Sequence, residues 1–307
     1  NELFEKVITF SNVVNDVINQ ESFEKYLQVL KETKKIIIED DINVFDYNVY
    51  YDEITVSKCI SQILKNDQLD YNKNNIKKAI EDAMESNNIT YSPKQLEAIE
   101  KALLEPITIV TGGPGTGKST VIKGIIEAYS SLYNKKELVK SEIFLLAPTG
   151  RASKRLKEVT NHYNASTIHK FLGYEGHGVF RHGVDNKVNA RLVIIDEVSM
   201  VDVSLASKLF SSLNDGTKIV LVGDVDQLPS VGPGEVLANL IESKEITVTK
   251  LDKIHRQAEG SSIISFAHSI NSGYLPETIL EKQKTTDYSE LLKSFERCLE
   301  KTKSFKR

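Results

Sequence analysis

The chain has 307 residues, 40% of them hydrophobic and 27% charged, the composition of a globular protein long enough for about two domains. A formal net charge of -4 and a pI near 6.0 exclude the overall basic footprint of a protein that coats nucleic acid; charge alone points away from such a partner, without excluding a local binding groove. No apolar run approaches the roughly 20 residues of a membrane span, the charged start Asn1-Glu2-Leu3-Phe4-Glu5-Lys6 does not read as a signal peptide, and the widely separated Cys59 and Cys298 have no metal-ligand spacing, so a reducing cytoplasm is the expected compartment.

Taken in chain order, residues 1–88 read as a mainly helical N-terminal module, winged or helix-hairpin-like. Phe23, Tyr26, Leu27 and Leu30 make one helical face. Ile36-Ile37-Ile38, Val44-Phe45 and Val49-Tyr50-Tyr51, broken by Asp40-Asp41, are expected to form a short hairpin. Val56 to Leu64 and Ile76 to Met84 are expected to be helices. Ser92-Pro93-Lys94-Gln95 opens a further helix, with Ser92 as N-cap and Pro93 in its first turn.

From Pro106 onwards, strands alternate with helices. The strands are expected at Ile107 to Thr111, Ile143 to Ala147, Leu192 to Ile195, Lys218 to Val222 and Ile246 to Leu251. Near-continuous apolar runs of this kind suit strands of a parallel sheet buried on both faces. The expected fold is therefore α/β, a doubly wound domain over 89–276. Residues 277–307 are expected to be a helical tail. The absence of a leading Met is the expectation for a trimmed or internal start.

The chemistry-bearing residues fall at the carboxyl ends of these strands, where open α/β sheets bind ligands. After Thr111 comes Gly112-Gly113-Pro114-Gly115-Thr116-Gly117-Lys118-Ser119, a phosphate-binding loop with Thr120 following into a helix. Strand, glycine loop and helix aim backbone N–H groups at an anion. Lys118 is expected at the β- and γ-phosphates of a nucleoside triphosphate, with the Ser119 hydroxyl on Mg²⁺. After Ile195 come Asp196, a second Mg²⁺ ligand, and Glu197, a general base for the attacking water. After Val222 comes Gly223-Asp224-Val225-Asp226-Gln227-Leu228-Pro229-Ser230-Val231-Gly232, in which the Gln227 amide is placed to sense a γ-phosphate.

That last stretch resembles motif III of superfamily 1 helicases, in the wording of the RecD-like, 5′-to-3′ branch. The other landmarks follow in the family's order. Gln95 resembles the adenine-reading glutamine. Leu145-Leu146-Ala147-Pro148-Thr149-Gly150-Arg151-Ala152 and Thr167-Ile168-His169-Lys170-Phe171-Leu172-Gly173 resemble its two segments that touch single-stranded DNA. Asp196-Glu197-Val198-Ser199-Met200 resembles motif II. Leu251-Asp252-Lys253-Ile254-His255-Arg256-Gln257 resembles motif IV, which implies that Arg256 reaches the γ-phosphate. The resemblance spans about 89–275 and, less closely, 20–88, where Tyr50-Tyr51-Asp52-Glu53 fits the region upstream of the motor.

The resemblance implies a RecA-like P-loop domain, ATP and Mg²⁺ as cofactors, and ATP hydrolysis coupled to 5′-to-3′ movement on single-stranded DNA or at duplex junctions, in repair or recombination. It places DNA contacts at Pro148, Thr149, Arg151, Thr167 and His169. On the residues alone, Arg151, Lys154, Arg155 and Lys157 also fit a solvated basic face, and His169 fits a core histidine. Departures are Ser119-Thr120 where the family has two threonines, His255 where it has phenylalanine, and no pattern in 276–307 for motifs V and VI. The expectation is a piece carrying the first motor domain. The alternatives are a non-unwinding ATP-binding module and the helicase part of a relaxase or exonuclease complex; a small-molecule kinase would leave Gly223 to Gly232 unexplained.

Overall fold

The computed structural model describes residues 3, 5, 6, 20–40, 42–65, 72–133, 141–161 and 164–252. The chain divides into two compact units, Asn1–Ile254 and His255–Arg307, and the described residues belong to the first. The readings placed on His255, Arg256 and the tail lie outside the described residues.

The core is a six-stranded sheet in the order β10-β3-β9-β8-β4-β5, with every pairing parallel. Its strands are β3 (Ile107–Gly112), β4 (Ile143–Ala147), β5 (Ala165–Thr167), β8 (Leu192–Ile195), β9 (Lys218–Gly223) and β10 (Thr247–Leu251). This is the RecA-like, P-loop type of α/β domain.

Successive strand residues point to opposite faces, and here both faces are buried. Val110, Ile194, Val220 and Val222 enter one core, while Ile109, Val193, Ile195, Ile219 and Leu221 enter the other. This two-sided burial is why β3, β8 and β9 read as unbroken apolar runs.

The helices that cover the first face are α3 (Lys73–Asn87), α4 (Pro93–Leu104), α5 (Lys118–Ser131) and α6 (Gly150–Thr160). The second is covered by α2 (Tyr47–Lys65), α8 (Val203–Ser211) and α9 (Val236–Glu242). The N-terminal helices thus serve both cores: α3 gives Ile76, Ile80 and Ala83 to one, and α2 gives Val56, Ile60 and Ile63 to the other. Close approach of α4 to α5 depends on Gly124, where an added Cβ would lie 2.6 Å from Ile99 Cδ1 and 2.8 Å from the Tyr91 hydroxyl. Tyr91 itself is buried, and its oxygen has no hydrogen-bond partner among the described residues.

Local sequence explains most element starts. Ser92 caps α4, and the Gln95 side chain accepts from the Ser92 N–H at 2.9 Å, closing a capping box. The hairpin β1 (Ile36–Glu39) and β2 (Asn43–Asp46) follows α1 (Gln20–Glu32) as expected. Val49-Tyr50-Tyr51, expected in that hairpin, belong instead to α2. The reason is Asp46, whose Oδ1 accepts from the N–H groups of Asn48 (2.9 Å) and Val49 (3.1 Å) and so starts a helix directly after the strand. The rings of Tyr47 and Tyr51 then pack one turn apart, 4.7 Å between centroids.

Two features were not expected from the sequence: β5, and a second hairpin, β6 (Tyr174–Gly176) and β7 (Val179–Phe180), after the short helix α7 (Ile168–Phe171). The turn of this hairpin places Gly176, His177 and Gly178 at positive φ (99°, 49° and 77°), a conformation glycine adopts without steric cost. Among the described residues no helix is long and apolar enough to cross a membrane.

Lys218, at the start of β9, is 1% exposed and donates to the Glu105 carbonyl. Burial pushes its ammonium down to about 7, from an ordinary value of 10.5. Between those two values the unfolded chain binds more protons than the folded one, so this group adds stability as pH rises from about 7 towards 10. Wild-type protein should therefore gain stability relative to Lys218→Met between pH 7 and 9.5, by the order of 1 kcal/mol or more, in urea denaturation at the two pH values. Parallel pH profiles would remove Lys218 from this role.

Candidate functional site

The parallel register brings six strand ends to one edge. Gly112 lies opposite Leu251, Thr111 opposite Gly223, Ile195 opposite both Leu221 and Leu146, and Ala147 opposite Thr167. The phosphate loop, the Asp196-Glu197 pair, the Gln227 loop and the starts of α6 and α7 therefore share one rim.

In the loop, Gly115 and Gly117 have φ of 79° and 89°. Gly117 stands at the N-cap of α5 with no side-chain cap, leaving the first N–H groups of the helix to another acceptor. Gly112 admits no side chain: a Cβ there would lie 2.6 Å from the Leu251 carbonyl oxygen and 2.8 Å from Thr116 Oγ1. Lys118 Nζ donates to the Gly112 carbonyl at 2.5 Å and to that of Gly113 at 3.3 Å. Thr116 Oγ1 donates to Gly113 O at 2.9 Å. Gly113, Pro114 and Gly115 form the crest of the loop, and Ser119 and Thr120 occupy the first turn of α5.

Asp196 continues β8, its N–H donating to Leu146 O at 2.8 Å. Its carboxyl is raised to about 6, by burial first and then by the neighbouring Glu197 charge. The Glu197 N–H, which donates to Asp196 Oδ1 at 3.0 Å, opposes that rise, as do Lys118 and Arg155. Glu197 has a left-handed backbone, φ 55°, so the chain turns sharply after Asp196 into a single 3₁₀ turn, Val198–Met200. Glu197 Oε2 is buried and has no hydrogen-bond partner among the described residues. An orphaned carboxylate oxygen beside a crowded carboxyl is an arrangement that a cation or a polarised water relieves.

Gln227 is exposed, with Ser199 Oγ 3.5 Å from its Oε1. Its loop is anchored underneath: Asp224, 3% exposed, accepts from the Asp226 N–H at 3.1 Å, and Gly223 packs on Leu237. Leu228 and Val231 of the same loop are exposed, and so is Met200 of the 3₁₀ turn.

Thr149 and Thr167 turn out to be N-caps. Thr149 Oγ1 accepts from the Ala152 N–H at 3.2 Å at the start of α6, and Thr167 Oγ1 accepts from the Lys170 N–H at 3.1 Å at the start of α7. Pro148 precedes the first cap, and Arg151 is exposed in the first turn beyond it. His169 is exposed, against the sequence alternative of a core histidine. Its ring meets Tyr174 edge-on at 5.4 Å and lies 5.9 Å from Phe180, within an aromatic cluster on β6 and β7.

A family model described as an AAA domain matches residues 95–233. The ATP-dependent RecD2 DNA helicase of Deinococcus radiodurans is 38% identical over 185 residues, covering 60% of this chain and 24% of the relative. The RecBCD enzyme subunit RecD of Mycobacterium tuberculosis is 32% identical over 199 residues, covering 59% of this chain and 34% of the relative. Over this stretch the chain is similar to RecD and RecD2 proteins. It spans between a quarter and about a third of the length of these two relatives. Among solved structures, the Pif1 helicase from Candida albicans is 25% identical, with a TM-score of 0.47, over 62% of this chain and 45% of that one.

Arg155 is exposed on α6, as a solvated basic face requires. The contributions that sequence reading missed come from packing. Tyr174 and Phe180 join His169 only through a hairpin whose strands are too short to leave a period. Gln95 is buried to 2% exposure and shares its oxygen with the α4 cap. Gln95→Ala should therefore lower stability by about 1 to 2 kcal/mol in chemical denaturation, whereas Gln95→Glu, which keeps the acceptor for Ser92, should lose less than half of that. Equal losses would show that the cap is not what Gln95 supplies to the fold.

Proposed function

We propose that this chain binds and hydrolyses ATP and couples hydrolysis to 5′-to-3′ movement on single-stranded DNA, as a helicase or translocase of the RecD-like type acting in DNA repair or recombination in the cytoplasm. The observation that carries the reading is the common rim: phosphate loop, paired carboxyls, Gln227 and the two threonine-capped helix starts stand on neighbouring ends of one parallel sheet. Residues 1–88 would be the module preceding an ATPase domain of 89–276, with 277–307 as a tail.

In this reading Gly113 to Thr120 and the N-terminus of α5 cradle the phosphates, Lys118 leaves its two loop carbonyls for the β- and γ-phosphates, and Gln95 faces the base. Ser119 and Asp196 would hold Mg²⁺, which when bound neutralises charge on the phosphate oxygens. The residues fit that ion. Among the described residues no group of three or more His, Cys, Asp or Glu is able to hold a metal by itself, so the shell needs phosphate and water oxygens, as Mg²⁺ sites of nucleotide enzymes do. The unpartnered Glu197 Oε2 would accept a proton from the attacking water. Gln227 would respond to the γ-phosphate and pass its loss to the exposed loop of Leu228 and Val231. Arg256 is proposed as a further γ-phosphate contact.

DNA would run past Pro148, Thr149, Arg151, Thr167 and His169. The two capping hydroxyls keep an O–H to donate to backbone phosphates, Arg151 supplies charge, and His169 with its aromatic neighbours supplies a stacking surface. The partners are single-stranded DNA and duplex junctions. The RecD relatives, named as subunits of the RecBCD enzyme, favour membership of a complex as the second reading.

Glu197→Gln should retain ATP binding and lose turnover by about 10²- to 10⁴-fold, measured as nucleotide affinity beside steady-state hydrolysis. Turnover of the wild type should rise with single-stranded DNA, and DNA affinity should fall steeply with salt. Unchanged turnover in the variant, or hydrolysis indifferent to DNA, would overturn the proposal.

A further inference from the structure

On the face of the sheet covered by α2, a cleft of about 460 Å³ opens between α2 and α9, within the size range of built ligand sites. Its floor is apolar and buried: Val56 and Ile60 of α2, Val203 of α8, Val236 of α9, and Ile246. α2 lines it from Val49 to Leu64, a length of about 22 Å at the helical rise. That makes it a groove, longer than one small molecule needs.

The rim is acidic. Glu53, Glu235 and Glu245 line it, all exposed, and no lysine or arginine does. None of the three carboxylates is ion-paired within the described residues. Ser57 and Ser61 stand exposed along the α2 side between these charges and the floor.

We propose that this groove docks an amphipathic helical segment of a partner protein, with apolar anchors on the floor and lysine or arginine flanks against Glu53, Glu235 and Glu245. The acidic rim selects a basic segment over a neutral or acidic one. The lining argues for a helix over an extended strand. It is dominated by two helices, whose main-chain groups are already bonded, so an extended peptide finds no edge to pair with, while a helix satisfies its own backbone and needs side-chain contact alone.

The test is to pan a phage-displayed random library of peptides, roughly four helical turns long, against the immobilised chain. Labelled winners are then titrated by fluorescence anisotropy against three proteins: wild type, Ser57→Trp with Ser61→Trp, and Glu53→Lys with Glu235→Lys and Glu245→Lys. All five substituted positions are exposed, and melting curves check that both variants fold. Winners should carry apolar residues at helical spacing with basic flanks, and should lose about tenfold or more in affinity for each variant. No enrichment, winners with acidic flanks, or equal affinity for wild type and both folded variants would each overturn the proposal. Because the readout is peptide binding, its failure leaves the proposed ATP hydrolysis untouched, and the reverse also holds.

Discussion

Burial of both faces of a parallel sheet is the constraint on which the rest of this structure depends. Every residue of β3 and β9 from end to end is buried, Lys218 and the β3 threonines included, so chemistry that needs access to ligand or water has no place along those strands. It is confined to their ends, and parallel pairing puts all the carboxyl ends on one edge. The residues that hold charge, Lys118, Asp196 and Glu197, are therefore neighbours because the strands beneath them are apolar.

At that edge the backbone is bent out of its ordinary regions to aim side chains and N–H groups. Gly115 and Gly117 carry positive φ in the loop, and Glu197 carries it without the freedom of glycine. The turn sets the Glu197 charge beside Asp196, whose carboxyl is raised to about 6 by burial first and by that charge second. Two acids crowded together with a buried oxygen unpartnered among the described residues concentrate negative charge that a cation would offset. Lys118, resting on two loop carbonyls, holds the opposite charge in reserve a short distance away.

The N-terminal helices give this edge its support from behind. α3 and α2 complete opposite cores, so the sheet is clamped by residues, Val56 to Ala83, that precede Gly112 of the phosphate loop by 29 to 56 positions. Where α2 stops short of α9, the second face leaves an apolar groove instead of a closed core. The same demand for two-sided cover thus explains both the rigid edge and the groove.

Much of this was legible in the chain itself. Unbroken runs such as Leu192 to Ile195 located strands to the residue, because burial on both faces removes the alternation that blurs other strands. Ser92-Pro93 and the glycine loop announced helix starts, because capping and phosphate cradling are local in sequence. Val49-Tyr50-Tyr51 misled, because their β-forming side chains were overruled by two hydrogen bonds to Asp46. The strands of β6 and β7, and the aromatic cluster they bring to His169, leave too few residues for any pattern. The sequence by itself therefore determined where the phosphate-loop pattern lies and which strands lead into it, since those signals depend on neighbours within a few positions. Only the tertiary structure decided that Thr149 and Thr167 are caps on adjacent strand ends and that α2 and α9 frame an acidic groove, since each of those relations joins residues that only packing brings together.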